Sequence, residues 1–112
     1  MKTHNLTRKL VLEAPVTSDD GLGGRTTGWQ ELGTIWAEVT RRTARSRRVG
    51  ETAVSSVGYR IVVRGAPVGA PSRPKAGQRL VEGSRVFRIE HVAEADAAGR
   101  YLLCRATEEH VT

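Results

Sequence analysis

Residues 34–40 read Thr-Ile-Trp-Ala-Glu-Val-Thr, and that alternation constrains the fold more than any other feature of the chain. On a pleated strand Ile35, Ala37 and Val39 share one face, while Trp36 and Glu38 share the other. The same period of two returns at residues 8–14, with Leu10 and Leu12 inward, and at 57–64, where Tyr59, Ile61 and Val63 oppose Arg60 and Arg64. It returns again at 78–82, at 85–92 with Phe87, Ile89 and His91 inward, and at 100–107 with Leu102, Cys104 and Ala106 inward. Residues 29–32 form a further short extended piece. No apolar stripe at helical spacing outlasts a turn or two. The pattern predicts a mainly β domain, a small antiparallel barrel or sandwich of five to six strands with a long basic loop.

Turn chemistry separates these pieces. Residues 18–24, Ser-Asp-Asp-Gly-Leu-Gly-Gly, supply the unusual dihedrals a tight turn needs, and Pro15 is expected to end the first strand. Gly83-Ser84 is a two-residue hairpin signal, and Pro67, Pro71 and Pro74 make residues 65–77 a connection rather than a strand. At 112 residues the chain supports one core, so residues 1–112 are read as a single domain. Only 38% of residues are apolar, with one Phe, two Tyr and two Trp, which leaves little material for a deep ligand pocket.

The candidate chemistry is sparse. His4, His91 and His110 have no Cys or His at metal-ligand spacing, so no metal or other cofactor is expected. Gly21-Leu22-Gly23-Gly24 lacks the Lys-Ser/Thr of a phosphate-cradling loop. Cys104 lies mid-strand with Leu102 and Ala106, which predicts a buried, inert thiol. No nucleophile accompanies a base and no carboxylates pair, so a non-enzymatic protein is expected. The opening residues carry no apolar leader, no run approaches the ~20 apolar residues that span a bilayer, and a lone cysteine suits a reducing compartment. Synthesis in the cytoplasm with no membrane association is expected.

Charge singles out one segment. Eighteen Lys and Arg against twelve Asp and Glu give +6, and only Lys2, Lys9 and Lys75 of the eighteen are lysine. Five arginines, Arg41, Arg42, Arg45, Arg47 and Arg48, fall within eight positions. A charge run is ordinarily a solvated surface without a role, but five like charges gain by meeting something negative, a phosphate backbone or an acidic partner. Their mutual repulsion reads as a mobile loop over residues 41–51, reaching about 20 Å. It contains no aromatic to stack on bases, which argues against sequence-specific or single-strand recognition. Trp29 and Trp36 are open to two readings, core or interface, and the parity of Trp36 places it on an outer face where it would anchor a partner.

In order along the chain stand the Asp20-Gly21 turn, Gly24, Trp29 and the Ile35-Trp36-Ala37-Glu38-Val39 strand. After the variable loop come Tyr59-Arg60-Ile61-Val62-Val63-Arg64, Arg79, Val86-Phe87-Arg88-Ile89 and Arg100-Tyr101-Leu102-Leu103-Cys104-Arg105. In this order and spacing, from Leu6 to Ala106, the chain resembles the phage head–tail joining family, the stopper or head-completion connectors. The chain also resembles the version carried by bacterial gene transfer agents. It departs from the family in a more arginine-rich central loop and a longer proline-rich connection at 65–77.

The resemblance implies a virion protein of the head–tail interface, made in the bacterial cytoplasm. It implies a homo-oligomeric ring, a hexamer, between a portal/adaptor ring and the tail terminator, with the loop after the Trp36 strand facing packaged DNA in the channel. A sixfold ring would gather about thirty arginines from this loop. Trp29, Trp36, Arg60 and Arg64 would then contact neighbouring subunits or rings. The alternative reading is a free small β-barrel that binds nucleic acid as a monomer, with a steep salt dependence.

Overall fold

The computed structural model describes residues 4–50 and 52–111, and the side chains of all of these except 43–49, 52, 54, 110 and 111. Six strands form: β1 (Arg8–Asp19), β2 (Arg25–Val49), β3 (Thr52–Arg64), β4 (Arg79–Glu82), β5 (Arg85–Glu94) and β6 (Tyr101–Val111). All pairings are antiparallel, and the order β1-β2-β3-β6-β5-β4 closes on itself as a barrel. Closure removes the free edges of the sheet within the barrel itself, though not where strands run beyond it.

Inward parity builds the core. Leu10, Leu12, Ala37, Ile61, Val63, Leu80, Phe87, Ile89, Leu102, Cys104 and Ala106 are all essentially inaccessible, and Ile35, Val39, Tyr59 and Val92 pack against them. His91 does not join them. A bulge between Ile89 and His91 shifts the register, so His91 turns out to solvent and Val92 takes the inward place. Burial also pushes the Cys104 thiol up to about 12. At pH 8 a disulfide-exchange reagent is therefore expected to leave Cys104 unmodified until denaturant is added. Prompt reaction in buffer would place the thiol at the surface.

Two strands run past their expected ends. Pro15 does not stop β1, which continues to Asp19 opposite Arg25. On its other side β1 meets β4 only from Val11 to Glu13, so beyond that point Pro15 stands on an edge where no amide is missed. The larger correction concerns residues 41–51, expected to be a loop. β2 continues through Val49, pairing Arg45 with Ser56, Arg47 with Val54 and Arg48 with Ala53. β6 extends the ribbon by pairing Val54–Gly58 with Thr107–Val111. The backbone bonds of this cross-strand ladder, with β-favouring Thr and Val residues, outweigh the repulsion among the arginines. Glu51 lies outside the described residues.

Gly65 closes the far end of β3. Its amide donates to the Arg100 carbonyl at 2.7 Å, and a Cβ placed there would stand 2.3 Å from the Gly99 carbonyl oxygen. Because that obstacle is backbone, Gly65→Ala is expected to cost about 1–3 kcal/mol, as other overpacked sites do. Chemical denaturation of the variant checks this; an unchanged midpoint would mean that the 99–100 turn yields freely.

Candidate functional site

Beyond the barrel mouth, the β2–β3 hairpin and the end of β6 project as a ribbon of some seven residues, about 20 Å at strand rise. The molecule measures 52 × 35 × 22 Å, and this projection contributes to its elongation. Arg41 and Arg42 stand exposed at the ribbon's base, where Arg42 is the extra residue of a bulge between Arg41 and Thr43. The backbone of Arg45, Arg47 and Arg48 lies farther along the same strand; their side chains lie outside the described residues. Cations are thus strung along a paired strand instead of a slack loop.

A polar plug fixes the ribbon to the barrel. Glu108 is only 3% exposed, and its carboxylate accepts from Arg85 Nε at 2.9 Å, Arg85 Nη2 at 3.0 Å and the Tyr59 hydroxyl at 3.1 Å. Arg85 Nη1 lies 4.0 Å from Glu82, which also accepts two bonds from Arg8, that from Nε at 3.0 Å. Five strands therefore meet in one charge-alternating network, seated on Phe87 at 4.9 Å from the Arg85 guanidinium. The bidentate bond to Glu108 raises the Arg85 pKa, and the Arg8 hydrogen bond holds the Glu82 carboxyl below its ordinary range. Burial, then the bond to Glu108, raises the Tyr59 hydroxyl. Sequence reading missed this network. Glu108 nevertheless continues the inward parity of Leu102, Cys104 and Ala106, which marks a carboxylate aimed into the barrel.

The outer wall carries a second group of cations. Arg60 and Arg105 are directly opposed between β3 and β6, and His91 opposes Arg105 from β5. All three are exposed, and neither arginine has an ion-pair partner among the described residues. Arg42, His91 and Arg105 line one cleft of about 320 Å³, together with Glu90, whose carboxylate is held by the Thr107 hydroxyl. Opposed like charges destabilise a sheet, so this wall favours an anionic neighbour.

The remaining expected contacts separate. Trp36 is 53% exposed on the outer face, as its parity predicts, and Arg64 is exposed on the adjoining strand. Trp29 is less free: it is 40% exposed, and the Arg79 guanidinium stacks 4.1 Å over its ring while bonding Glu13 at 2.6 Å. The N-terminal segment straps the same wall. His4 Nδ1 lies 3.0 Å from Glu38, the Asn5 amide donates to that carboxylate at 2.9 Å, and the His4 ring meets Tyr101 edge-on at 4.8 Å. Glu38 opposes Val62 in the register, and Val62 is 4% exposed despite its outward parity.

Among the described residues no group of three or more His, Cys, Asp or Glu could hold a metal. A closed barrel with a plugged core, an outer wall of aromatics and cations, and an arginine-bearing ribbon has the build of an assembly module. The phage head completion protein family matches residues 1–109, and the chain belongs to that family. A chain from the virion of a native gene transfer agent particle is 48% identical, with a TM-score of 0.89 over 98% of this chain and 100% of that one. Comparison with curated proteins gave no match.

Proposed function

We propose that this protein is the stopper-type connector of a phage-like particle of the gene transfer agent kind, joining head to tail and helping to close the DNA channel. The supporting observation is the 48% identity with a gene transfer agent virion chain over 98% of this chain and all of that one, joined to a head-completion family match. Its role is structural, without catalysis. It forms a homo-oligomeric ring, a hexamer, between the portal/adaptor ring and the tail terminator.

Arg41, Arg42, Arg45, Arg47 and Arg48 face packaged DNA, and the paired ribbon supports this, since a strand carries cations to a fixed reach where a slack loop would not. Trp36, Arg60 and Arg64, exposed on the outer wall, meet neighbouring subunits or rings, with Trp29 a lesser contact because of its Arg79 stack.

Electron microscopy of particles from cells lacking the gene, with a nuclease-protection assay on their DNA, tests the reading. Leaking heads beside unattached tails are expected. Tailed, DNA-filled particles would overturn it in favour of a free nucleic-acid-binding barrel, whose isolated monomer would bind DNA with a steep salt slope.

A further inference from the structure

The β1–β2 hairpin ends in a turn that holds a leucine out to solvent. Leu22 is 91% exposed. The turn beneath it is well bonded: Asp19 accepts from the Gly21 amide at 2.9 Å, and Asp20 accepts from the amides of Leu22 at 2.8 Å and Gly24 at 3.0 Å. The Asp20 amide completes the turn on the Gly24 carbonyl at 3.1 Å. A preorganised apolar knob results, flanked by two exposed carboxylates. Arg25, opposite Asp19, leaves the tip with a single net negative charge.

A matching hollow lies elsewhere on the same chain. Leu6, Ile35, Trp36 and Ala66 line a cleft of about 420 Å³, with Arg64 also in its wall. Trp36 is half exposed, and Arg64 has no ion-pair partner among the described residues.

We propose that the Leu22 tip of one copy seats in the Trp36 cleft of the next, with Asp19 against Arg64. The inference rests on the homo-oligomeric ring proposed above and names the surfaces that build it. Knob and hollow share no residue, so the contact is head-to-tail, the kind that repeats around a ring. Charge matches as well as polarity: a net acidic tip meets a guanidinium that has no ion-pair partner among the described residues. The occupant is a second copy because both halves of the match, the apolar one and the charged one, stand on this chain.

Particles carrying Leu22→Cys together with Ala66→Cys test the contact, since buried Cys104 contributes little background. Mild oxidation is expected to yield a ladder of multimers of this chain on non-reducing gels, with neither single variant forming one. Tailed, DNA-filled particles without a ladder would overturn the docking and leave the connector reading standing; an adduct with another virion protein would overturn it in favour of that partner. A charge swap keeps Leu22 intact and decides the matter where the cysteine pair fails to assemble. Asp19→Lys and Arg64→Glu are each expected to lower the yield of tailed particles about tenfold, and the double variant to restore it. Failure of the double variant to recover would refute the contact.

Discussion

Replacing Arg41, Arg42, Arg45, Arg47 and Arg48 together with serine is expected to produce particles whose DNA is no longer protected from nuclease, although the barrel still folds. All five lie in β2 beyond the last residue of its core-facing stretch, Val39, so their loss removes no buried contact among the described side chains. Surface changes of this kind usually stay within about 0.5 kcal/mol each, and here the removal of like-charge repulsion acts in the stabilising direction. Retention of DNA is another matter. Each cation near phosphate releases counterions, and a tenfold change corresponds to only about 1.4 kcal/mol, so protected DNA should fall by about tenfold or more. Wild-type particles should also leak progressively as salt is raised, because the same attraction is screened. Thermal melting of the purified variant beside nuclease protection of its particles separates the two effects. Full protection in the variant would remove the ribbon from the DNA channel.

The second large effect is expected at Glu108. Glu108→Ala leaves Arg85 and the Tyr59 hydroxyl without their shared acceptor at the closed end of the core. Breaking a buried pair from one side costs about 3–5 kcal/mol, and the partial exposure of Arg85 argues for the lower end, ~3 kcal/mol. For a domain of this size the melting temperature should fall by roughly 10 °C. Replacing Glu108 and Arg85 together by apolar residues should recover much of the loss, because no charge is then stranded. A small effect of the single change would mean that the plug is solvated. The neighbouring Glu82 adds an acid dependence of known sign. Its carboxyl is depressed by the Arg8 bond, so that stabilisation is present above the ordinary carboxylate range and is lost as pH falls through the depressed value. Melting followed from pH 7 down to about 3 should show it, and Glu82→Gln should flatten the slope.

Much of the barrel was legible because burial on a strand repeats every second residue. Parity alone turns Leu10, Leu12, Phe87, Leu102 and Cys104 inward and puts Ile61 and Val63 on one face opposite the arginines, and all seven are buried. The outward place of Trp36 follows from the same count. His91 broke the rule where a bulge inserted a residue, and no local signal in that stretch distinguishes a bulge from continuous pairing. The arginine segment, expected as a loop, is a paired strand for a similar reason. Its repulsion is visible in order along the chain, whereas the ladder that Thr52–Gly58 makes with it, and that the end of β6 makes with Val54–Gly58 in turn, is not.

The sequence by itself determined the class of fold, the face most core residues present, the lack of helical elements among the described residues and the uneven placement of charge. These depend on residue type and on a period of two, both local quantities. Only the tertiary structure decided what stands beside what. It closed the sheet through the three-residue β1–β4 pairing, and it brought Arg8, Tyr59, Glu82, Arg85 and Glu108 from five strands into one plug. It opposed Arg60 to Arg105 across β3 and β6. The register between distant strands is set by collective packing and by bulges, and a chain read in order carries no direct measure of either.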